Sequence, residues 1–307
     1  SEETKNMALS LQSGEILLLE NTRFLDVPNK LESNLNEDVA KHLASLGELF
    51  VFDAFAVAHR RHTSVVGIPA YLPSCLGFLA EKELSMLNNT IKNPNKPFTV
   101  IMGGAKVDDK LKIIKSLLPK CDHLLVSGGI ANSFLSALRL NVGSSLKTND
   151  PNIIKELVNL MLTYKEKFAF PLDAIVTTTY SNTPEMKNIN EIDTNDIIKD
   201  IGTKTIKKYG TIIKESNTIF MNGTMGIYEE KAFSNGTREI LNILSTKKEQ
   251  VVIGGGDTVG ALNNLGFINT FSNVSSGGGA TLEYIANGSL PGIDAIREED
   301  NIEVLDL

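Results

Sequence analysis

Two lysines that follow a glycine pair are the residues best suited to chemistry on a phosphate group. Residues 103–110 have the sequence GGAKVDDK, which places Lys106 and Lys110 four positions apart. Side chains at this spacing share one face of a helix, so we expect both ammonium groups on one face of a helix that begins here. Lys106 would then reach phosphate oxygens. A solvent-exposed lysine is the alternative, and it weighs more for Lys110 than for Lys106.

Two acidic residues lie beside other glycines. Asp257 follows three glycines at a predicted helix start, where it would either cap the helix or bind a Mg²⁺ ion that bridges nucleotide phosphates. The sequence leaves these two roles open. Glu229 would bind the hydroxyl groups of a nucleotide, or it is an exposed loop acid.

A basic cluster lies near the N-terminus. Arg23 follows the predicted strand 15–20, and His59 and Arg60 open the run HRRH at 59–62. The guanidinium fork of arginine suits bidentate binding of a carboxylate or phosphate. A solvated basic loop is the alternative. The sequence has no Ser–His–Asp order of a hydrolase and no metal-ligand spacing of Cys and His.

Glycines follow five of the predicted strands. These strands span residues 99–102, 123–127, 218–221, 250–253 and 273–276. In an open parallel sheet their carboxyl ends share one edge, and helix N-termini there present N–H groups to anions. The pattern predicts a phosphate-binding crevice, with turn-tightening glycines as the alternative. Neither GxxxxGK[ST] nor GxGxxG occurs, which argues against a Walker-A enzyme and a dinucleotide site.

The predicted strands alternate with helices along the chain. Strands at 15–20, 49–53 and 174–178 join the five above, and all are short and apolar throughout, which is typical of parallel strands buried on both faces. Helical periodicity covers 80–91, 107–118, 153–164, 237–244 and 258–265. The pattern predicts a doubly wound α/β fold. We expect 183–202, which is polar, to be an irregular loop.

A polar, proline-punctuated stretch at 92–97 marks a domain junction. We predict a partial N-terminal domain at 1–80, an interdomain helix and linker at 81–97, a second domain at 98–293 and a C-terminal tail at 294–307. The first domain has two predicted strands, too few for a stable parallel sheet. We therefore expect that it is incomplete or leans on another chain.

Composition narrows the class of protein. The 307 residues carry a net charge of −7, which argues against a nucleic-acid partner. No apolar run reaches about 18 residues, so no membrane span or membrane partner is expected, and no signal peptide opens the chain. The two cysteines are expected to be free and buried, which fits a reducing cytoplasm.

Seven ordered motifs resemble those of the phosphoglycerate kinase family. They are ENTRF at 20–24, DAFAVAHR at 53–60, GGAKVDDK at 103–110, NGTMGIYE at 222–229, GGGDT at 254–258, SGGGA at 276–280 and LPGI at 290–293. Their order and spacing hold from about residue 14 to 296, which makes chance similarity implausible.

The resemblance implies two Rossmann-like domains with parallel sheets, joined by a helix, in a glycolytic kinase that is a monomer. It implies reversible phosphoryl transfer between 1,3-bisphosphoglycerate and ADP, giving 3-phosphoglycerate and ATP, with Mg²⁺. The roles that it implies fall on these residues: Lys106, Gly278 and Gly279 in catalysis; Arg23, His59 and Arg60 with 3-phosphoglycerate; Lys106, Lys110, Gly202, Asn222, Glu229, Gly255, Gly256, Asp257 and Thr258 with the nucleotide; and Asp257 with the metal.

The chain also departs from the family pattern. The strand, the aspartate–asparagine motif and the catalytic arginine that open the family's sequence are not found before Glu15. Ala56 and Val57 replace Gly-Thr, Ser127 replaces a glycine, and Thr203 and Thr224 replace prolines. We therefore expect the 307 residues to be poorly active alone. The alternative is a degenerate nucleotide-binding module without catalysis.

Overall fold

Strands alternate with helices over residues 2–297, which the computed structural model describes. The helices are α1 (Glu2–Leu9), α2 (Glu37–Ala44), α3 (Phe78–Ile91), α4 (Leu111–Leu117), α5 (Gly128–Ala137), α6 (Pro151–Thr163), α7 (Thr203–Glu215), α8 (Asn235–Ser245), α9 (Gly256–Leu265), α10 (Gly279–Asn287) and α11 (Pro291–Arg297). The strands are β1 (Phe50–Phe52), β2 (Ser74–Leu76), β3 (Phe98–Met102), β4 (His123–Val126), β5 (Phe168–Ala169), β6 (Asp173–Thr178), β7 (Ser181–Asn188), β8 (Asp196–Ile201), β9 (Thr218–Asn222) and β10 (Val251–Gly254).

Contacts between Cα atoms divide the described chain into two units. The first contains residues 2–84 and 287–297, and the second contains 85–286. Helix α3 runs across the boundary between them. The first unit thus includes 287–293, which the sequence analysis placed in the second domain. The functional assignment of each domain stays a prediction.

The second unit is built on a parallel sheet with the strand order β10-β9-β3-β4-β5. Every residue of β3 and β9 is buried, as expected for central strands covered by helices on both faces. Ile101, Ile219 and Ile253 share one hydrophobic cluster with Tyr209 of α7 and Leu241 of α8. Packing in this core holds the parallel strands in place, so that their carboxyl ends lie along one edge of the sheet.

A second sheet in the same unit corrects one prediction. Residues 183–202 are not an irregular loop, because β7 and β8 pair antiparallel with β6 on either side of it. Most of β7 is exposed, so its sequence is polar although its backbone is paired. The apolar run at 174–178 is correspondingly the centre of an antiparallel sheet and not a parallel strand.

Two other predicted strands are wrong. Residues 15–20 form no strand, and Ile16 and Leu18 are 93% and 92% exposed. Residues 273–276 form a single bridge, between Val274 and Ile253. There the Ser275 hydroxyl bonds to Thr281 and accepts from the Gly277 amide, which turns the chain into α10.

The first unit contains a two-stranded parallel sheet, β1 with β2, over the part of the chain that the structure describes. Cys75 pairs in register with Val51, and both are exposed, so the expected burial of Cys75 is wrong. Cys121 is buried, and burial raises the pKa of its thiol to about 11. No helix among residues 2–297 has both the length and the apolarity that a bilayer crossing requires.

Candidate functional site

A cavity of about 300 Å³ lies at the carboxyl ends of the central strands in the second unit. Its polar boundary includes Gly104, Gly128, Thr224, Glu229 and Asp257, which follow β3, β4, β9 and β10. Its apolar lining includes Ala131, Leu135, Leu146, Ile198 and Ile227. A cavity with one apolar side and a few convergent polar groups is typical of a small-molecule site.

Glycines let the strand-end loops contact each other closely. Gly223 has φ +95°, and a Cβ built on it would lie 2.1 Å from the Gly103 carbonyl oxygen. A Cβ on Gly129 would lie 1.8 Å from the carbonyl oxygen of Ala105. A Cβ on Gly256 would instead meet nothing within 4 Å. Some of these glycines therefore pack loop on loop, while Gly256 leaves open space.

Lys110 is held inside this group of loops. Its Nζ donates to the Gly103 carbonyl oxygen at 2.8 Å. Burial lowers the pKa of Lys110 to about 8, against the opposing charges of Asp257 and Asp109. A partly desolvated ammonium group beside backbone carbonyls is well placed for an anion.

Lys106 does not share a helical face with Lys110. Helix α4 begins at Leu111, so Lys106 lies in the turn before it and is exposed. The predicted i, i+4 arrangement on one helix face is therefore wrong. Lys106 directly follows Ala105, which lines the cavity.

Asn222 and Thr258 join the ends of β9 and β10. The Asn222 amide donates to the Gly254 carbonyl oxygen at 2.9 Å. The Thr258 hydroxyl donates to the same oxygen at 2.9 Å and accepts from the Gly223 amide at 2.7 Å. A Cβ on Gly255, which has φ +95°, would lie 2.5 Å from the Asn222 Nδ2 atom. These predicted nucleotide residues thus also shape the loops.

Asp257 and Glu229 are exposed at the cavity. Asp257 lies in the first turn of α9, whose N-cap is Gly255 without a side-chain cap, so the capping alternative for Asp257 is not observed. Glu229 bonds to the Tyr228 hydroxyl, and burial, followed by the charges of Glu229 and Asp257, raises the pKa of that hydroxyl.

The residues at the cavity could hold Mg²⁺ only together with oxygen ligands from the phosphates of a nucleotide. No group of three or more His, Cys, Asp or Glu that could hold a metal occurs within residues 2–297. Mg²⁺ is commonly held by one or two carboxylates together with substrate phosphates. Asp257 supplies one such exposed carboxylate.

Gly202 lies at the N-cap of α7. A Cβ on Gly202 would lie 2.3 Å from the Asp173 carboxyl carbon. That carboxylate caps α7 by accepting from the amides of Lys204 and Thr205 at 2.9 and 2.8 Å. Gly202 is not among the described residues that line the cavity. Its predicted contact with the nucleotide stays a prediction.

Asp200 and the apolar lining were missed by the sequence analysis. Asp200 lines the cavity, is buried, and accepts from the Gly236 amide at 2.6 Å. Burial raises the pKa of Asp200 to about 7. The signal that was available is the apolar pair Ile197 and Ile198, with Ile201 three residues later, within the polar stretch 183–202.

Gly278 and Gly279 lie at the start of α10. Gly278 has φ +50°, and a Cβ built on it would meet nothing within 4 Å. Gly279 is exposed and begins the helix. Neither is among the described residues that line the cavity, so their predicted catalytic role remains a prediction.

The predicted basic cluster lies in the first unit. The Arg23 guanidinium donates to the Ser33 hydroxyl at 2.8 Å and lies 3.1 Å from the Asp26 carboxylate. It also lies 3.5 Å from His62 Nε2. Burial lowers the pKa of His62, and the charges of Arg23 and Arg60 add to that effect. His62 thus lies next to Arg23 and 3.9 Å from the buried carboxylate of Glu32, whose charge opposes the lowering of the pKa.

Arg60 is exposed and His59 is half-buried. The Nδ1 atom of His59 is buried and has no hydrogen-bond partner within the described part of the chain. A buried ring nitrogen without a partner is unusual. The first unit thus offers cationic and polar groups for a small anion.

Comparison with known proteins adds independent findings. The family model described as phosphoglycerate kinase matches residues 1–288. The phosphoglycerate kinase of Macrococcus caseolyticus is 41% identical over 293 residues, which cover 94% of this chain and 74% of the relative. That of Mesomycoplasma hyopneumoniae is 40% identical over 301 residues, which cover 96% of this chain and 74% of the relative.

Solved structures agree. The phosphoglycerate kinase from Coxiella burnetii superposes with a TM-score of 0.87 at 35% identity, over 94% of this chain and 74% of the other. The enzyme from Pyrococcus horikoshii gives a TM-score of 0.81 at 27% identity, over 97% of this chain and 76% of the other. The predicted fold class and the resemblance are thereby confirmed.

Proposed function

Because the chain belongs to the phosphoglycerate kinase family, we propose that its second unit binds ADP or ATP in the cavity at the strand ends. The family consists of glycolytic kinases that transfer a phosphoryl group, EC 2.7.2.3. The observation that carries the proposal is a cavity at the strand ends where Glu229 and Asp257 meet apolar side chains. The Lys110 ammonium group lies next to it, 2.8 Å from the Gly103 carbonyl oxygen and 3.3 Å from a Cβ built on the lining residue Gly104.

The proposed contacts of the nucleotide follow from the lining. The apolar side would take the base, because Leu135, Leu146 and Ile198 offer contact area without charge. Lys110 would bind phosphate oxygens, and Glu229 would bind the ribose hydroxyls. Asn222, Gly255, Gly256 and Thr258 support this by forming the loops around Asp257. Mg²⁺ would be held by Asp257 with the phosphates and would offset their negative charge.

The proposed acceptor site lies in the first unit. Arg23, Arg60 and His59 would bind 3-phosphoglycerate or the 3-phosphate end of 1,3-bisphosphoglycerate. Lys106 would contact the phosphoryl group in transfer, and the backbone at Gly278 and Gly279 would donate to developing negative charge. Phosphoryl transfer depends mainly on alignment and charge compensation, which such groups supply. A monomer in the cytoplasm fits a glycolytic kinase.

A second candidate function is a nucleotide-binding module without turnover. It is favoured by the first unit, whose sheet has two strands within the described residues. Both candidates share nucleotide binding and differ in catalysis.

Titration calorimetry with ADP and Mg²⁺ tests the proposal. We expect saturable binding that Lys110→Met weakens about tenfold or more, because a charge-assisted hydrogen bond is lost. Lys112→Met, at an exposed position in α4, is the matched control and should leave the affinity unchanged. Absence of ADP binding by the folded protein would reject the proposal. A coupled NADH assay then separates the candidates, since turnover comparable to that of the relatives would exclude the module.

A further inference from the structure

Three strand-end loops meet at one point beside the cavity. The Gly103 amide donates to the Asn222 carbonyl oxygen at 2.9 Å, and the Ser127 amide donates to the Met102 carbonyl oxygen at 3.0 Å. A Cβ on Gly103 would lie 2.0 Å from the Thr224 carbonyl oxygen and 2.6 Å from Ser127 Oγ. The absence of a side chain at Gly103 therefore lets residues after β4 and β9 contact each other across the end of β3.

The contact is a hydrogen bond between those two loops. The Ser127 hydroxyl is completely buried and donates to the Thr224 carbonyl oxygen at 3.1 Å. The Thr224 hydroxyl in turn donates to the Gly226 carbonyl oxygen at 3.1 Å. Thr224 and Gly226 both line the cavity. Without the Ser127 hydroxyl, a mostly buried carbonyl would lose this donor, which is costly.

The same two positions depart from the sequence pattern that the chain otherwise follows. A serine stands at 127 where that pattern has glycine, and a threonine stands at 224 where it has proline. Proline would fix the backbone φ of the loop near about −65° without any partner. Here two hydroxyl groups hold the same segment. The departures are therefore in direct contact and not independent.

We propose that Ser127 and Thr224 form a paired latch that positions the loop 224–229, and with it Glu229, at the nucleotide cavity. This proposal rests on the proposed nucleotide binding. The two are positioning residues, since they would act on the nucleotide through the loop. The far side of the loop is tied separately, because the Met225 amide donates to the Thr237 hydroxyl at 3.0 Å. The hydrogen bond from Ser127 to Thr224 holds the loop on the side of β4.

The latch acts on affinity through the order of the loop. A loop that is already held in its binding conformation loses less conformational freedom when a ligand arrives. Removing the Ser127 hydroxyl takes away one of the ties on the segment that carries Glu229, while the Met225 and Ile227 amides stay bonded to Thr237 and Lys199. Proline at 224 would restore the restriction by another route, so the two changes are expected to compensate.

A double-mutant cycle on ADP binding tests the latch. The variants are Ser127→Ala, Thr224→Pro and the pair, each titrated with ADP and Mg²⁺. We expect Ser127→Ala to weaken binding about fivefold to tenfold, because the net free energy of one buried hydrogen bond corresponds to a change in affinity of that size. In the presence of Thr224→Pro, Ser127→Ala should cost less than about twofold. Such rescue by a second site would not follow from general destabilisation.

Ser133→Ala is the matched control. Ser133 is also a buried serine, and its hydroxyl donates to the Gly129 carbonyl oxygen at 2.7 Å and accepts from the Thr148 amide. It should lower the melting temperature and leave ADP affinity unchanged. If Ser127→Ala does not fold, Ser127→Gly removes the same hydroxyl and replaces it in the cycle.

The outcomes separate the two proposals. If the unaltered protein fails to bind ADP, nucleotide binding fails. If the unaltered protein binds ADP but loss of the Ser127 hydroxyl leaves affinity unchanged, or costs the same with Thr224 or with proline at that position, the latch is overturned. Weaker binding that Thr224→Pro rescues supports the latch.

Discussion

Lys110 is a partly buried lysine whose protonation state is expected to change when an anion binds beside it. It donates to the Gly103 carbonyl oxygen, and burial holds its pKa at about 8 in spite of the nearby carboxylate of Asp257. A lysine in this state responds strongly to a new anion, because the anion favours the charged form. Protonation of Lys110 is therefore linked to phosphate binding if the phosphates lie beside it.

The linkage predicts proton uptake when ADP binds at pH 8.5. In the free protein Lys110 is mostly neutral at that pH, since its pKa is about 8. Bound phosphate would raise the pKa and draw a proton onto the amine, whereas at pH 6.5 the amine is already charged and takes up none. Calorimetry in two buffers of different ionisation enthalpy measures the uptake.

Lys112→Met serves as the comparison and should retain the uptake. Lys110→Met at saturating ADP should lose it. Equal uptake in both variants at pH 8.5 would show that another group takes the proton, and Lys110 would then not face the phosphates.

At the scale of elements, helix α7 holds two strands of the main sheet through one hydroxyl. The completely buried Tyr209 hydroxyl lies 2.7 Å from the Val126 carbonyl oxygen and 2.9 Å from that of Ala169. These oxygens belong to β4 and β5. The contact therefore adds to the pairing of β4 with β5 in holding this two-residue strand.

Tyr209→Phe is expected to lower the free energy of unfolding by about 1–3 kcal/mol, because two buried carbonyl groups lose a shared donor while the ring volume is retained. Urea denaturation measures the change. Tyr180→Phe, at a position that is 79% exposed, should change the stability by less than about 0.5 kcal/mol. Similar effects of the two changes would contradict the role of the Tyr209 hydroxyl.

The elements also show what a sequence can predict. The central strands β3 and β9 were predicted within one residue, because their residues are apolar throughout and buried on both faces. Residues 15–20 are equally apolar, yet Ile16 and Leu18 are exposed and no strand forms. A strand needs a partner for its backbone groups, and apolar composition does not supply one.

The candidate site, like the strands, was predicted only in part from the sequence. The place of Asp257 and Glu229 after glycine-containing strand ends predicted that they lie at one sheet edge, and both line the cavity there. The apolar lining was not found, because Leu135, Leu146 and Ile198 come from three separate segments that only the tertiary fold brings together. The exact start of α4 was also missed, which changed the relation of Lys106 to Lys110.

At the scale of the whole molecule, the two units differ in how their sheets are supported. In the second unit, β3 lies between β9 and β4 and all its residues are buried. In the first, β1 pairs with β2 alone among the described residues, and Val51 on β1 is half exposed. Two-stranded sheets are marginal by themselves, so the first unit depends on its small core around Phe52, Phe55 and Val65.

This difference predicts unequal local stability, measured by native-state hydrogen exchange. Amides of Phe50–Phe52 and Ser74–Leu76 should exchange through local opening, which exposes few buried apolar contacts and costs little free energy. Amides of Phe98–Met102 and Thr218–Asn222 should exchange only with opening of the five-stranded sheet, and so more slowly by at least about tenfold after correction for intrinsic rates. Equal protection in all four strands would mean that the two units open together. The smaller sheet would then draw its stability from the rest of the chain and not from its own core.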